Sequence, residues 1–296
     1  MAEWVMRGYG AVLRRVRPYS GLTRLSFNAV TRRLMAGVTG PRLATTAEGV
    51  SIEVDPHDYH GRIFWLFGSN DFKVARAVTL FLSSGDLFLD IGANYSTIGL
   101  AALPAVGPEG HVHLFEPQPH IADAVVAGVA RAGLQGRVTM HRVALFDRDD
   151  TLHLRAPVHH SGMATVMDHG TAPGFARSIQ IPAVDTAGYV APLVGDRPFG
   201  VKIDIEGAEL QVLPGLVVQP AMRFCVFEAA HRQDDLLAFF QAHGFRVLGL
   251  KRSVLRFGMV PVAGPEQMVA FHDYVAVRPD AVAPDSPAAH ALARAG

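Results

Sequence analysis

Leu87-Phe88-Leu89-Asp90-Ile91-Gly92-Ala93-Asn94-Tyr95-Ser96 is the stretch from which the rest of the chain can be read. An apolar run ends in an acid, a glycine follows, and a helix-like run covers residues 97–106. Gly92 permits a sharp turn and a close approach of backbone to a ligand. The helix start beyond it offers unpaired N–H groups to a carboxylate or phosphate. Strand, tight turn and helix, with an acid at the strand end, make a nucleotide-type cradle. Dinucleotide and phosphate loops need three spaced glycines or a Gly-Lys-Ser/Thr ending. This loop has neither, and an acid followed, after one residue, by Gly-x-Asn better suits a ligand with an amino-acid end and a ribose.

Outward from this stretch, strand and helix signals alternate, which implies a doubly wound α/β sheet, mostly parallel. Strands are expected at 87–90, 111–115, 138–143, 201–205 and 222–227. Helices are expected at 97–106, 121–132, 208–213, where Pro214-Gly215 stops the run, and 234–242. Residues 151–154 and 178–184 read as an inserted hairpin, a flap over the site. Residues 245–250 and 269–277 read as a terminal antiparallel hairpin. The expected organisation is a helical and extended cap over 1–82, the main domain over 83–278, and a disordered Ala- and Pro-rich tail over 279–296. Aromatic residues Tyr59, Phe64, Trp65, Phe67 and Phe72 read as packing between cap and sheet, or as the lining of a substrate entrance.

The chain has 296 residues, 49% apolar and 18% charged, with a formal net charge of zero. That supports a large core and argues against a nucleic-acid partner. The lone cysteine, Cys225, lies in an apolar run and reads as a small buried hydrophobe. With no possible internal disulfide, a reducing, cytoplasmic setting is expected. Residues 1–37 carry Arg7, Arg14, Arg15, Arg17, Arg24, Arg32 and Arg33 against the single acid Glu3, with apolar residues between them. This segment reads as a helical cap, or as a basic amphipathic segment touching an anionic membrane or a partner. Oligomeric state is left open.

Ligands of doubly wound sheets bind beyond the carboxyl ends of the strands. Those ends carry Asp90, Glu116, Asp204 with Glu206, and Glu228. Clustered carboxylates are costly without partners or ligand groups to satisfy them, which marks a site. Glu116 lies 26 positions after Asp90, near the roughly 20-residue spacing at which a second-strand acid reads ribose hydroxyls. Lys202, Asp204 and Glu206 alternate with Ile203 and Ile205, so an extended strand points all three to one face. His159-His160 reads as solvated surface. An acid pair could hold a divalent cation that orients vicinal hydroxyls, although no His-rich ligand spacing accompanies it.

Four motifs, Asp90-Ile91-Gly92-Ala93-Asn94, Phe115-Glu116-Pro117-Gln118-Pro119, Val143-Ala144-Leu145-Phe146-Asp147 and Lys202-Ile203-Asp204-Ile205-Glu206-Gly207-Ala208-Glu209, resemble the FkbM-type family of S-adenosylmethionine-dependent methyltransferases. The resemblance implies a class I, Rossmann-like methyltransferase fold and methylation of a hydroxyl on a sugar, glycolipid, polyketide or similar small molecule. It places Asp90, Gly92, Ala93, Asn94 and Ser96 at the methionine end of S-adenosylmethionine. Glu116 and Pro117 fall at the ribose and Ala144 at the adenine. Asp204 is the first candidate base and Glu206 the second, with Glu228 and His231 behind them; Lys202 orients the carboxylates. Ser96 stands where the family has glycine, which makes a non-catalytic, cofactor-binding relative the main alternative. A nucleic-acid methyltransferase lacks its Asn/Asp-Pro-Pro-aromatic motif here, and a nicotinamide oxidoreductase lacks its glycine fingerprint.

Overall fold

Runs of apolar residues between turn signals build a computed structural model that describes residues 2–166, 175–282 and 287–295. The chain opens with helices α1 (Ala2–Val16), α2 (Leu22–Ser26) and α3 (Ala29–Met35) and a hairpin of β1 (Arg42–Thr45) and β2 (Ser51–Val54). Helices α4 (Tyr59–Phe67) and α5 (Phe72–Phe81) lead into the alternation β3 (Leu87–Ile91), α6 (Thr97–Val106), β4 (His111–Phe115), α7 (Pro119–Arg131) and β5 (Val138–His141). A small second sheet holds β6 (Ala144–Phe146), β7 (Asp150–Pro157) and β8 (Phe175–Asp185). Then come α8 (Thr186–Val194), β9 (Phe199–Ile203), α9 (Glu209–Val217), β10 (Met222–Glu228) and α10 (Gln233–Ala242). The described chain closes with β11 (Arg246–Leu250), β12 (Met259–Pro261), α11 (Pro265–Met268), β13 (Asp273–Val277) and α12 (Pro287–Ala295).

The main sheet has the order β12-β11-β13-β10-β9-β3-β4-β5. Strands β10, β9, β3, β4 and β5 are parallel, and β13 runs antiparallel between β10 and β11. The chain winds from β3 to β4 and β5, then returns through β9 on the other side of β3. The carboxyl ends of β3 and β9 therefore bracket the switch point at which such sheets bind ligands. Side-chain alternation divides the core. Phe88 joins one apolar layer, with helices α4–α6 and the N-terminal helices, while Leu87, Leu89 and Ile91 join the other. Met6, Leu13, Met35 and Val38 share their layer with Leu100 and Val112, so the N-terminal segment and the sheet bury one core.

Four expectations change. The strand expected over 201–205 stops at Ile203, because the Glu209 carboxylate accepts from the Ile205 and Gly207 amides and draws the chain into a turn. Helix α9 continues through Pro214 to Val217. Gly215 lets it lie against the start of α8, where a Cβ would stand 2.7 Å from the Ala187 nitrogen. The strand expected over 269–277 begins only at Asp273, since Gly264-Pro265 starts the helical turn α11. The tail expected to be disordered carries α12, with Ala288 buried in the core. The two inserted strands pair antiparallel as β7 and β8, and residues 167–174 between them lie outside the described residues. Among the described residues no helix is long and apolar enough to cross a membrane.

Candidate active site

Asp90 and Lys202 are register partners on β3 and β9, so their side chains leave the sheet side by side. Lys202 Nζ lies 3.4 Å from Asp90 Oδ1 and 3.7 Å from Asp204 Oδ2 and donates to the Gly92 carbonyl at 2.8 Å. Burial opposes the ammonium charge, but Asp90 and Asp204 outweigh it and hold the Lys202 pKa above the ordinary lysine value. Asp90 is fully buried, and its other oxygen accepts from the Gly99 amide at 2.8 Å. It anchors Lys202 and the start of α6.

The loop after β3 is held by main-chain bonds. The Gly92 and Ala93 amides donate to the Phe115 carbonyl. Glu116 is buried; its Oε2 accepts from the Asn94 amide and its Oε1 from the Gln118 amide, both at 2.8 Å. Asn94 and Ser96 both adopt left-handed backbone, at φ 47° and 57°. Non-glycine residues held this way concentrate at functional sites. Gly92, at φ 72°, is required by its neighbour: a Cβ there would stand 2.0 Å from the Asp204 carbonyl oxygen. Its glycine thus serves the contact between the two site loops.

Asp204, Glu206, Glu228 and Asp273 meet at the carboxyl edge of the sheet and line one cavity. Asp273 belongs there because β13 is reversed, which sets it opposite Glu228 in register. Burial, then the neighbouring Asp204, pushes Glu206 up to about 7. Burial together with Asp204, Asp273 and Glu206 pushes Glu228 up to about 9. Asp273 is itself paired with Lys73.

The insertion and the N-terminal cap close over this edge. Ser161 is the fastening point. Its amide and hydroxyl donate to Asp58 at 2.7 and 2.9 Å, its Oγ accepts from Asn94 Nδ2 at 3.0 Å, and its carbonyl accepts from Gln118 Nε2 at 3.1 Å. Tyr59 stacks between Phe27 and His160, with ring centroids 4.9 and 4.2 Å away. Its hydroxyl meets Thr23 Oγ1 at 2.5 Å.

The cavity measures about 1140 Å³ and opens to the surface. Gly92, Ala93, Asn94, Glu116, Pro117, Ala144, Lys202, Asp204 and Glu206 line it; Asp90 and Ser96 do not. Ser96 is fully buried, and its hydroxyl points back to the Asn94 carbonyl at 3.4 Å. Ser96 thus packs behind the loop rather than on the cavity wall, and Asp90 is linked to the cavity by its ion pair with Lys202. His160, expected on the solvated surface, lines the cavity because the insertion folds inward. The aromatic cluster divides: Phe64, Trp65 and Phe67 are core, and Tyr59 lines the site. Ser161, Asp58 and Asp273 went unseen in the sequence. For Asp273 the usable signal is the reversed last strand; Ser161 and Asp58 carry none.

A ligand with an amino-acid end, a ribose and a base fits this lining. Gly92, Ala93 and Asn94 of the β3 loop line the cavity, Glu116 offers its remaining lone pairs, and Ala144 lines it together with Val143 and Leu145. The volume also leaves room for an acceptor. Among the described residues no group of three or more His, Cys, Asp or Glu side chains is arranged to hold a metal ion.

A model of the FkbM methyltransferase domain matches residues 90–247, more than half of the chain. No curated protein matches the sequence. Among solved structures, an FkbM methyltransferase from Methylobacillus flagellatus KT is 14% identical over 91% of this chain and 58% of its own length, with a TM-score of 0.45. Precorrin-6y C5,15-methyltransferase from Geobacter metallireducens GS-15 is 12% identical over 70% of this chain and 89% of its own, with a TM-score of 0.40. A Streptococcus pneumoniae protein in complex with S-adenosyl-L-methionine is 13% identical over 69% of this chain and 70% of its own, with a TM-score of 0.39.

Proposed function

The chain belongs to the FkbM methyltransferase domain family, and we propose that it is a cytoplasmic enzyme that methylates a hydroxyl of a small molecule such as a sugar, glycolipid or polyketide, using S-adenosylmethionine. One observation carries the reading. Lys202 joins the Gly92 carbonyl and Asp90, on the cofactor side, to Asp204, on the acceptor side. A single buried cation thus fixes the relative position of two loops whose contents must react with one another.

Gly92, Ala93 and Asn94 would hold the methionine end, Glu116 and Pro117 the ribose, and Ala144 the adenine. S-adenosylmethionine supplies a methyl group already activated on a sulfonium. The protein's part is to align the acceptor, exclude water and receive a proton. Asp204, steadied by Lys202, accepts the hydrogen bond of the acceptor hydroxyl and then its proton. Glu206, raised to about 7, is the second proton acceptor within the cavity. Glu228, raised to about 9, keeps its proton at neutral pH and donates a hydrogen bond to an acceptor oxygen. The lid fastened at Ser161 keeps water out.

Titration calorimetry with S-adenosylmethionine and with its demethylated product tests the cofactor; absence of binding by either at millimolar concentration overturns it. Asp204→Asn is expected to lower turnover about 10²–10⁴-fold and to leave cofactor affinity near that of the wild type. A large loss of affinity would move Asp204 into the cofactor site. Mass spectrometry of products from a panel of glycosides and polyketides identifies the acceptor. The alternative is a non-catalytic relative; cofactor bound without methyl transfer to any hydroxyl compound would favour it.

A further inference from the structure

The mouth of the cavity is rimmed by two segments that lie side by side. The Tyr19 amide donates to the Val254 carbonyl at 2.8 Å, and the Tyr19 ring packs against Phe257 at 5.9 Å. Tyr19, Arg24, Arg252 and Val254 line the cavity, so these residues stand at its edge. Outward from that edge the surface is both greasy and basic. Val254 and Leu255 are adjacent at the tip of their loop and are 54% and 70% exposed. Arg17 and Arg24 on one of the two segments and Lys251, Arg252 and Arg256 on the other are exposed, as is Arg15 near the end of α1. None of the six forms an ion pair with a described side chain. The sequence contains no acid from residue 4 to 47 or from 236 to 265. In a chain of zero net charge, this is a local concentration of one sign.

We propose that this rim is a docking surface for an anionic lipid bilayer, which seats the cavity mouth on the membrane. Aliphatic tips flanked by unpaired arginines match the interface between acyl chains and anionic headgroups, the first entering the apolar boundary and the second staying at headgroup level. A second copy of the chain would bring like charges together. A nucleic acid would satisfy the arginines but leave Val254 and Leu255 without a partner. On α1, Trp4 and Val12 are also exposed, at 84% and 61%. A bilayer at this position would present lipid-borne hydroxyls to the cavity. The docking itself is measured without turnover, so it stands or fails independently of the cofactor reading.

The full chain is to be floated with phosphatidylcholine vesicles, with and without phosphatidylglycerol. Binding is expected only with phosphatidylglycerol and is expected to weaken with salt. Leu255→Asp, and separately Arg15→Glu with Arg256→Glu, each lie outside the cavity lining and are expected to lower partitioning about tenfold or more with unchanged thermal midpoints. Because the two variants alter different chemistry, misfolding of one leaves the other as the test. No binding to anionic vesicles overturns the proposal. So does Leu255→Asp binding vesicles like the wild type while heparin competes fully, which would mark a general polyanion surface.

Discussion

Ser96 departs from a glycine that the neighbouring motif leads one to expect, and its backbone explains the expectation. At φ 57° it occupies the left-handed region, which costs an L-residue about 1–2 kcal/mol. Its hydroxyl recovers little, with one long bond to the Asn94 carbonyl. Glycine would remove the steric cost but lose about 0.5–1 kcal/mol to chain entropy. Ser96→Gly is therefore expected to stabilise the fold slightly, by up to about 1 kcal/mol, and to change cofactor affinity by less than about twofold, within 0.5 kcal/mol. Chemical denaturation and calorimetry measure the two quantities. A marked gain in affinity would return Ser96 to the binding surface. Gly92 teaches the converse lesson. It looks like a ligand-facing glycine, yet the atom that forbids a side chain there is the carbonyl of Asp204.

At the scale of elements, the lid depends on one short residue. Ser161, just beyond β7, bonds to Asp58 at the start of α4, to Asn94 in the β3 loop and to Gln118 ahead of α7. Ser161→Ala keeps the main-chain bonds but removes the hydroxyl, leaving Asn94 Nδ2 without that partner. Such a buried loss costs about 1–3 kcal/mol, and here it falls on local opening. Amide exchange over residues 158–166 is expected to accelerate, with the sheet unaffected, and bound S-adenosylmethionine is expected to dissociate faster. Unchanged exchange in that segment would show that the lid is held elsewhere, most plainly by the stack of Phe27, Tyr59 and His160.

Over the whole molecule, buried titrating groups pull stability in opposite directions. Burial lowers His60 and His141 to about 4 and His113 to about 3. They stay neutral in the fold while the unfolded chain takes up protons near 6.5. Their contribution is therefore complete above that value and lost as pH falls toward 4. Glu206 and Glu228, raised to about 7 and about 9, behave in reverse. Their contribution is complete below the unfolded value of 4.5 and is lost as pH climbs through 7 and then 9. Asp71, raised to about 6, belongs with the two glutamates, and the cofactor-free protein is expected to be most stable between about pH 5 and about pH 6.5, where the histidine and carboxyl contributions cross. Glu228→Gln is expected to flatten the alkaline fall. Thermal midpoints across this range check both statements; a wild-type midpoint that keeps rising to about pH 9 contradicts them.

Local chemistry was enough to read the sheet. Residues 111–115 and 97–106 form the strand and helix that their apolar runs indicate, because each element is bounded by its own turn residues and buries its own face. The acids at the strand ends were legible for the same reason, since strand polarity alone sends Glu116, Asp204 and Glu228 to one edge. Contacts between distant segments were not legible. The left-handed turn at Glu206 follows from a carboxylate three residues on folding back. Asp273 reaches the site only through a reversed strand, and Ser161 only through four bonds to three other elements. Alternation and composition determined which residues stand at the ligand-binding edge; tertiary packing decided which of them face the cavity, because burial and long-range hydrogen bonds have no signature in local spacing.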